Sequence, residues 1–333
     1  MRQALQSAWL RRGPLARALF PVSLLYGSAV RVRGSLYRAG MLEVERAPVP
    51  VVVVGNVVAG GAGKTPVVMA IAERLAAEGL KVGVVSRGHG RHGGDCLPVA
   101  PGSDPAKVGD EPLLVATRCR VPVFVAARRP QAVQALLQAH PGTQVILSDD
   151  GLQHRAMARD VEICVFDRRG VGNGWLLPAG PLREPWPRAV DLVLRDAQTP
   201  GIEGFVVRRR LAGYAWRADG ERLELRALAA AGDCAALAGI AQPQAFFDQL
   251  RAAGIRLRET WALPDHHEFG APEPWSATAG PLLCTEKDAV KLWRHRPDAW
   301  AVPLELEIDA GFWPALHSLL RPKLSSPDGP QTA

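Results

Sequence analysis

The sequence predicts an α/β protein built on a doubly wound, mostly parallel sheet, with a second, smaller α/β domain. Three observations carry that prediction. A β-branched strand, Val51-Val52-Val53-Val54-Gly55, feeds the glycine-rich stretch Gly60-Gly61-Ala62-Gly63-Lys64-Thr65, and an apolar-periodic helix follows over 66–78. Short apolar strands then alternate with helices from Lys81 to Arg195, the spacing of parallel strands joined by crossover helices. The alternation resumes at Ala235 after a run of short strands.

The chain begins with a basic segment, 1–46. It holds eight arginines against Glu43 and Glu45, which accounts for +6 of the net charge of +7. Between Arg17 and Arg31 lie 13 uncharged residues rich in Leu, Val, Phe and Tyr. A spanning helix needs roughly 20 apolar residues, and Pro21 and Gly27 are expected to interrupt this run. Arginines flanking an apolar face predict instead a helix lying in the headgroup layer of an anionic membrane, with Trp9 and Tyr26 as interfacial anchors. A cleaved signal peptide has the same order of basic, apolar and small residues, but it would export the glycine-rich domain to a place without nucleotide. A nucleic-acid arm would lack the apolar middle.

The next segment, 47–200, is expected to be the nucleotide-binding domain. Strand, glycine loop and helix in that order allow successive backbone N–H groups to wrap a phosphate. The candidate contacts are Val58, Ala59, Gly60, Gly61, Ala62, Gly63, Lys64 and Thr65. Lys64 would reach the terminal phosphates of a triphosphate such as ATP, and the Thr65 hydroxyl would ligate Mg²⁺. The full motif asks for glycine where Val58 stands, so the match is GGxGKT, and a plain glycine-rich turn is the bland alternative. The fold expected is therefore P-loop NTPase-like.

Downstream, strands are expected at 81–86, 122–126, 144–147, 161–167 and 189–195, with helices at 110–119 and 131–139. The third of these strands runs into Val145 to Asp150, which resembles a strand whose terminal carboxylate holds Mg²⁺ and so nominates Asp149; a capping or turn role is the alternative for both aspartates. Gly109-Asp110-Glu111-Pro112 sets two carboxylates at a helix start, where negative charge is favourable in any case. The stretch 170–187, dense in Gly, Pro and Trp, reads as a long ordered loop over the sheet edge.

Residues 201–320 are expected to form the second domain, entered through short strands over 205–226. Its polar loop carries Asp265-His266-His267, which could be metal ligands, acid/base groups or surface residues; residue types leave all three open. The Pro/Ser-rich 321–333 reads as a disordered tail. Hydrophobic residues make up 47 % of the 333, which excludes a disordered or multi-spanning chain. Five scattered cysteines without a CxxC pair support neither a disulfide framework nor a zinc site.

These residues converge on a family. From about 15 to 320 the chain resembles the tetraacyldisaccharide 4'-kinase family of lipid A biosynthesis. The stretches that carry the resemblance are Pro48–Pro66, Ser86-Arg87-Gly88, Val108–Leu114, Ser148–Arg155, Leu177–Pro185, Ala238–Phe247, Pro264–His267 and Thr285–Leu292, eight in the right order. The resemblance implies transfer of the ATP γ-phosphoryl group, with Mg²⁺, to the 4'-hydroxyl of a tetraacylated glucosamine disaccharide 1-phosphate, giving lipid IVA. It implies a peripheral or monotopic protein at the cytoplasmic face of the bacterial inner membrane, with no nucleic acid and no obligate protein partner. Carried over by position, Val58 to Thr65 cradle the phosphates, Thr65 and Asp149 serve the metal, and Lys64 is catalytic. Asp110 is the base that takes the sugar hydroxyl proton, and His266 pairs with it. Arg87, Asp150, Arg183 and Glu184 contact substrate. His89 departs from the family, where many members carry tyrosine.

Two rivals share part of this pattern. A metal-inserting P-loop GTPase could recruit Asp149, Asp150, His154, His266 and His267, but the nearest guanine-type string, Thr285-Glu286-Lys287-Asp288, has lysine and aspartate adjacent. A membrane partition ATPase carries a signature lysine where Ala59 stands.

Overall fold

The computed structural model describes residues 7–270, 273–276, 278 and 280–324. It opens on helix α1 (Pro14–Arg38), which is followed by strand β1 (Val51–Gly55), α2 (Lys64–Ala77), β2 (Val82–Ser86) and β3 (Leu97–Val99). Then come α3 (Pro105–Val108), α4 (Asp110–Cys119), β4 (Val123–Val125), α5 (Arg129–Ala139), β5 (Val145–Asp149), β6 (Val161–Phe166) and β7 (Leu192–Asp196). After β8 (Phe205–Leu211), β9 (Tyr214–Trp216) and β10 (Arg222–Glu224) lie α6 (Leu225–Ala231), β11 (Cys234–Ala238), α7 (Pro243–Ala252) and β12 (Leu257–Ala262). The chain closes with β13 (Leu282–Thr285), α8 (Glu286–Leu292), β14 (Trp300–Val302), β15 (Leu304–Ile308) and α9 (Phe312–Leu324).

Among the described residues, nine strands form one sheet in the order β15-β8-β7-β6-β1-β5-β2-β4-β3. From β4 to β8 every neighbouring pair is parallel; β3 and β15 close the two edges antiparallel. β1, β2 and β5 are buried along their whole length, as strands covered on both faces must be. One apolar cluster joins Val52, Val54 and Leu147 to Val68, Ile71 and Leu75 of α2 and Phe312 and Leu316 of α9; the other joins Val51, Val53 and Ile146 to Val133 and Leu136 of α5. The result is the doubly wound, P-loop NTPase-like sheet that the sequence predicts. A second sheet of six strands runs β10-β9-β14-β13-β11-β12, parallel from β14 to β12.

Four local expectations need correction. Residues 225–231 form a helix rather than the end of a strand: Leu225-Arg226-Ala227-Leu228-Ala229 favours helix, and Leu225 and Leu228, three apart, bury together. α9 continues through residues 321–324, because Phe312, Leu316 and Leu320, four apart, pack onto the first sheet; residues 325–333 of the expected tail lie outside the described residues. α1 is one 25-residue helix that passes through both Pro21 and Gly27. Pro21, the eighth residue of the helix, forgoes the bond its N–H would make to the Arg17 carbonyl, and the helix continues past it because its buried stripe is held by the rest of the protein. Gly27 is a contact glycine: a Cβ there would stand 2.7 Å from the Leu176 side chain.

Finally, Trp9 and Tyr26 do not point away from the protein. Trp9 Nε1 donates to the Pro178 carbonyl at 2.9 Å, and the Tyr26 hydroxyl donates to the Arg183 carbonyl at 2.8 Å. Ser23 donates to Leu176 and accepts from the Ala179 N–H. These bonds seat α1 on the ordered loop 170–187; its buried stripe is Ala16, Ser23, Gly27 and Gly34, with Gly27 against Leu176 and Gly34 against Arg155. The other faces expose Leu15, Val22, Leu24, Leu25 and Val32. By length and composition α1 is long and apolar enough to cross a membrane, which the 13-residue uncharged run is not.

Candidate active site

The glycine loop joins β1 to α2 at the carboxyl edge of the sheet. Gly60 and Gly63 have φ of 98° and 77°, a region closed to most L-residues, and Gly63 is the residue from which α2 starts. The first turn of α2 therefore presents Lys64 and Thr65 beside the end of β5. Thr65 Oγ1 donates to Asp149 Oδ2 at 3.0 Å, and Lys64 Nζ lies 3.6 Å from Asp150 Oδ1. Neighbouring parallel strands bring these groups together, since β1 pairs with β5 with Val54 opposite Asp149.

Asp149 is 2 % exposed, and its Oδ1 has no partner among the described residues. Burial first, and the negative charge of Glu111 second, push its carboxyl up to about 7 against the pull of Lys64. A buried carboxylate with one orphaned oxygen beside a threonine hydroxyl fits a divalent cation, which would remove both the orphan and the raised pKa. Among the described residues no group of three or more His, Cys, Asp or Glu is gathered for a metal, here or elsewhere, so the protein would supply the cation with few ligands of its own.

Asp150 follows with φ of 48°, and its carboxylate takes both a 2.9 and a 3.0 Å bond from Arg183 Nη1. Arg129, which the sequence reading passed over, is 2 % exposed and donates to the carbonyls of Asp149 and Asp150. Burial lowers its pKa to about 10, opposed by the two aspartates, so it keeps its charge. No short motif marks it; it opens α5, 20 residues before the aspartates it supports.

The second half of the site sits at the end of β2. The turn Ser86-Arg87-Gly88 meets Val108-Gly109 so closely that a Cβ on Gly88 would lie 2.6 Å from the Val108 carbonyl, and one on Gly109 3.0 Å from Gly88 Cα. Two glycines in contact thus set the start of α4, and with it Asp110, at the same sheet edge. Asp110 Oδ2 accepts from Lys291 Nζ at 2.8 Å and lies 3.1 Å from His266 Nδ1. Burial pushes the Asp110 carboxyl up, but the hydrogen bonds and charges of His266 and Lys291 outweigh it and hold the group below its ordinary value. His266, at φ 64°, is one of three non-glycine residues with positive φ among the described residues, and Asp150 is another. Strained backbone of this kind collects at functional sites.

Lys287 extends the cluster, donating to Asp265 at 2.7 Å and lying 3.4 Å from His266 Nε2. His267 turns the other way, to Glu273 and the rings of Phe269 and Trp275. His89 puts its ring edge-on to His266, centroids 5.9 Å apart. Lys287 and Lys291 lie in Thr285–Leu292, and their helical spacing, i and i+4, is the signal in the sequence that they share a face.

The remaining nominated residues spread along the same edge. Arg87 is exposed and raises the local positive potential felt by Arg129 and His154. Glu184 is 3 % exposed, bonded by Gln153 at 2.7 Å and flanked by Arg188 and Arg155. Burial, then Arg129, Arg87, Arg33 and Arg159, lower the His154 pKa to about 4, so this edge is strongly cationic with a neutral imidazole in it.

A doubly wound sheet whose first strand ends in a phosphate-type loop, with a carboxylate–histidine–lysine cluster one strand beyond the metal-type aspartate, defines a P-loop phosphotransferase. Comparison with known proteins makes this particular. The family model for tetraacyldisaccharide-1-P 4'-kinase (LpxK) matches residues 15–321, and the chain belongs to that family. A tetraacyldisaccharide 4'-kinase of Polaromonas naphthalenivorans (strain CJ2) is 56 % identical over 98 % of this chain and 97 % of its own length. One from Acidovorax sp. (strain JS42) is 53 % identical over 97 % and 96 %. The crystal structure of the "apo" form of LpxK from Aquifex aeolicus in complex with ATP matches with a TM-score of 0.80 and 28 % identity, covering 92 % of this chain and 99 % of that one.

Proposed function

We propose that this protein transfers the γ-phosphoryl group of ATP to the 4'-hydroxyl of a tetraacylated glucosamine disaccharide 1-phosphate. The observation that carries the reading is the placement of the Asp110–His266–Lys291 cluster beside the Lys64–Thr65–Asp149 loop, in a member of this kinase family. The N–H groups of residues 58–65 receive the phosphates, and Lys64 neutralises charge as it shifts to the leaving ADP oxygen. Thr65 and Asp149 would hold Mg²⁺, which when bound supplies charge neutralisation between the phosphates. Asp110 takes the hydroxyl proton as the sugar oxygen bonds to phosphorus, and His266 and Lys291 hold the carboxylate ionised and aimed. Arg87, Asp150, Arg183 and Glu184 line the edge on which the anionic disaccharide would lie. The deciding assay mixes radiolabelled ATP with the tetraacyl disaccharide 1-phosphate in detergent micelles. A bisphosphorylated lipid is expected; ATP consumption without labelled lipid would remove the acceptor assignment.

We further propose that segment 1–46 holds the enzyme at the cytoplasmic face of the inner membrane, with the second sheet region as the closing half of the site. Supporting this are the unpartnered Leu15, Val22, Leu24, Leu25 and Val32 beside a run of arginines. Each arginine near an anionic leaflet contributes on the order of 1 kcal/mol. The reading needs neither nucleic acid nor an obligate protein partner. Deleting residues 1–40 should release the protein from anionic vesicles in a flotation assay. Continued flotation of the truncated protein would show that α1 is not the anchor.

A further inference from the structure

The outer side of the glycine loop is held by two arginines that no motif singles out. Arg169, just after β6, donates from Nη2 to the Gly61 carbonyl at 3.2 Å and from Nη1 to the Ala59 carbonyl at 3.5 Å. Arg209, in β8, donates from Nη2 to the Ala62 carbonyl at 2.8 Å. Asn56 Nδ2 takes the Gly60 carbonyl at 3.4 Å. Four successive carbonyls, 59 to 62, are therefore tied to side chains. None of the N–H groups of residues 60–63 donates to any described residue. A trans peptide is planar, with its C=O and N–H pointing opposite ways. Each carbonyl tied to a side chain therefore turns the following N–H, that of Gly60, Gly61, Ala62 or Gly63, away from that side chain and leaves it free to meet an anion, as in an anion nest.

Both arginines are themselves fixed. Asp167 grips Arg169 through Oδ1 and Oδ2, with contacts of 2.7 to 3.1 Å. Asp196, at the end of β7, lies 3.8 Å from Arg209. The loop glycines make room for them: a Cβ on Gly63 would stand 2.3 Å from Arg209 Nη2, and one on Gly60 3.2 Å from Arg169 Nη1.

We infer that Arg169 and Arg209 are positioning residues for the nucleotide, holding the Gly60–Gly63 loop open to a polyphosphate before it arrives. The inference rests on the reading of this loop as the ATP site. Its physical consequence is kinetic. If the binding-competent loop is populated without ligand, apparent affinity carries no penalty for forming it; releasing the carbonyls multiplies the association rate by the fraction of loops that remain competent. Once ATP is bound, the phosphates hold the loop themselves, so dissociation and chemistry change little.

The test is stopped-flow binding of a fluorescent ATP analogue to the full-length enzyme, together with turnover at saturating ATP. R169K and R209K are the decisive variants, because lysine keeps the charge that steers the anion but lacks the guanidinium fork. Each, and more strongly the double variant, should bind at a rate reduced by about tenfold. The dissociation rate, kcat and the KM for the lipid acceptor should stay near wild type. An unchanged association rate overturns the inference, as does a loss carried by faster dissociation together with lower kcat, which marks direct contact with nucleotide. If the double variant loses secondary structure by circular dichroism, R169K alone decides on the same readings. Failure of the wild-type protein to bind the analogue would instead remove the ATP-site reading beneath it.

Discussion

Asp110→Asn should lower kcat by a factor of about 10² to 10⁴, the usual contribution of a positioned general base, while ATP affinity measured by titration calorimetry stays nearly unchanged. Asparagine is the cleaner variant, because its amide oxygen can still accept from Lys291, whereas Asp110→Ala strips the buried lysine of its 2.8 Å partner altogether, a loss of up to about 3–5 kcal/mol of stability. Asp110→Ala should show the same loss of turnover with a lower melting temperature. Both His266 and Lys291 approach Oδ2, which leaves Oδ1 to meet a hydroxyl. Lys291→Met is the companion experiment. Burial raises the Asp110 pKa, and His266 and Lys291 together lower it further than that, so removing the Lys291 charge moves the pKa upward. Since the base must be ionised, the acidic limb of kcat/KM should shift to higher pH, and the alkaline side should not move. A purely structural lysine would lower the whole profile without displacing its limb. Turnover left intact in Asp110→Asn would take the base role from this residue.

Lys64→Ala should weaken ATP binding and also cut kcat by a factor of about 10² to 10³, the scale for losing one charged group aimed at developing transition-state charge. The combined effect separates Lys64 from Asp110, whose loss should touch rate alone. In the structure Lys64 Nζ sits 3.6 Å from Asp150, a carboxylate already bonded twice by Arg183. The lysine is therefore only loosely held, and can swing to a phosphate without leaving Asp150 unpaired. Calorimetry with ATP reads the loss of binding, and turnover at saturating ATP reads the loss of rate. Unchanged nucleotide affinity would show that Lys64 does not reach the phosphates.

How much of this was open to reading depends on how far apart in the chain the interacting groups lie. The alternation of strands and helices was legible where β1, β2 and β5 are buried on both faces and so read as unbroken apolar runs, while the short, partly exposed edge strand β3 has no such signal. β15 and α9 were not: Leu304–Ile308 pairs antiparallel with β8 after about a hundred intervening residues, and nothing local marks which sheet a returning strand will join. α1 was misjudged in length, because Gly27 and Pro21 look like breaks until the loop that packs on Gly27 is in view.

The same division runs through the site. The glycine loop is written in the local sequence, since the φ-permissive Gly60 and Gly63 and the adjacent Lys64 and Thr65 act through backbone geometry within a few residues. So are the carboxylates at the start of α4 and the end of β5. The pairing of His266 with Asp110 came from family resemblance, not from spacing. Long-range packing alone shows that Lys291, 181 residues away, completes that pair, that Arg129 supports the two aspartates, and that Arg169 and Arg209 bond the loop carbonyls. The reason is physical: a helix or turn is set by neighbours along the chain, whereas a buried charge is placed by whatever partner packing delivers, and packing is a property of the whole sheet.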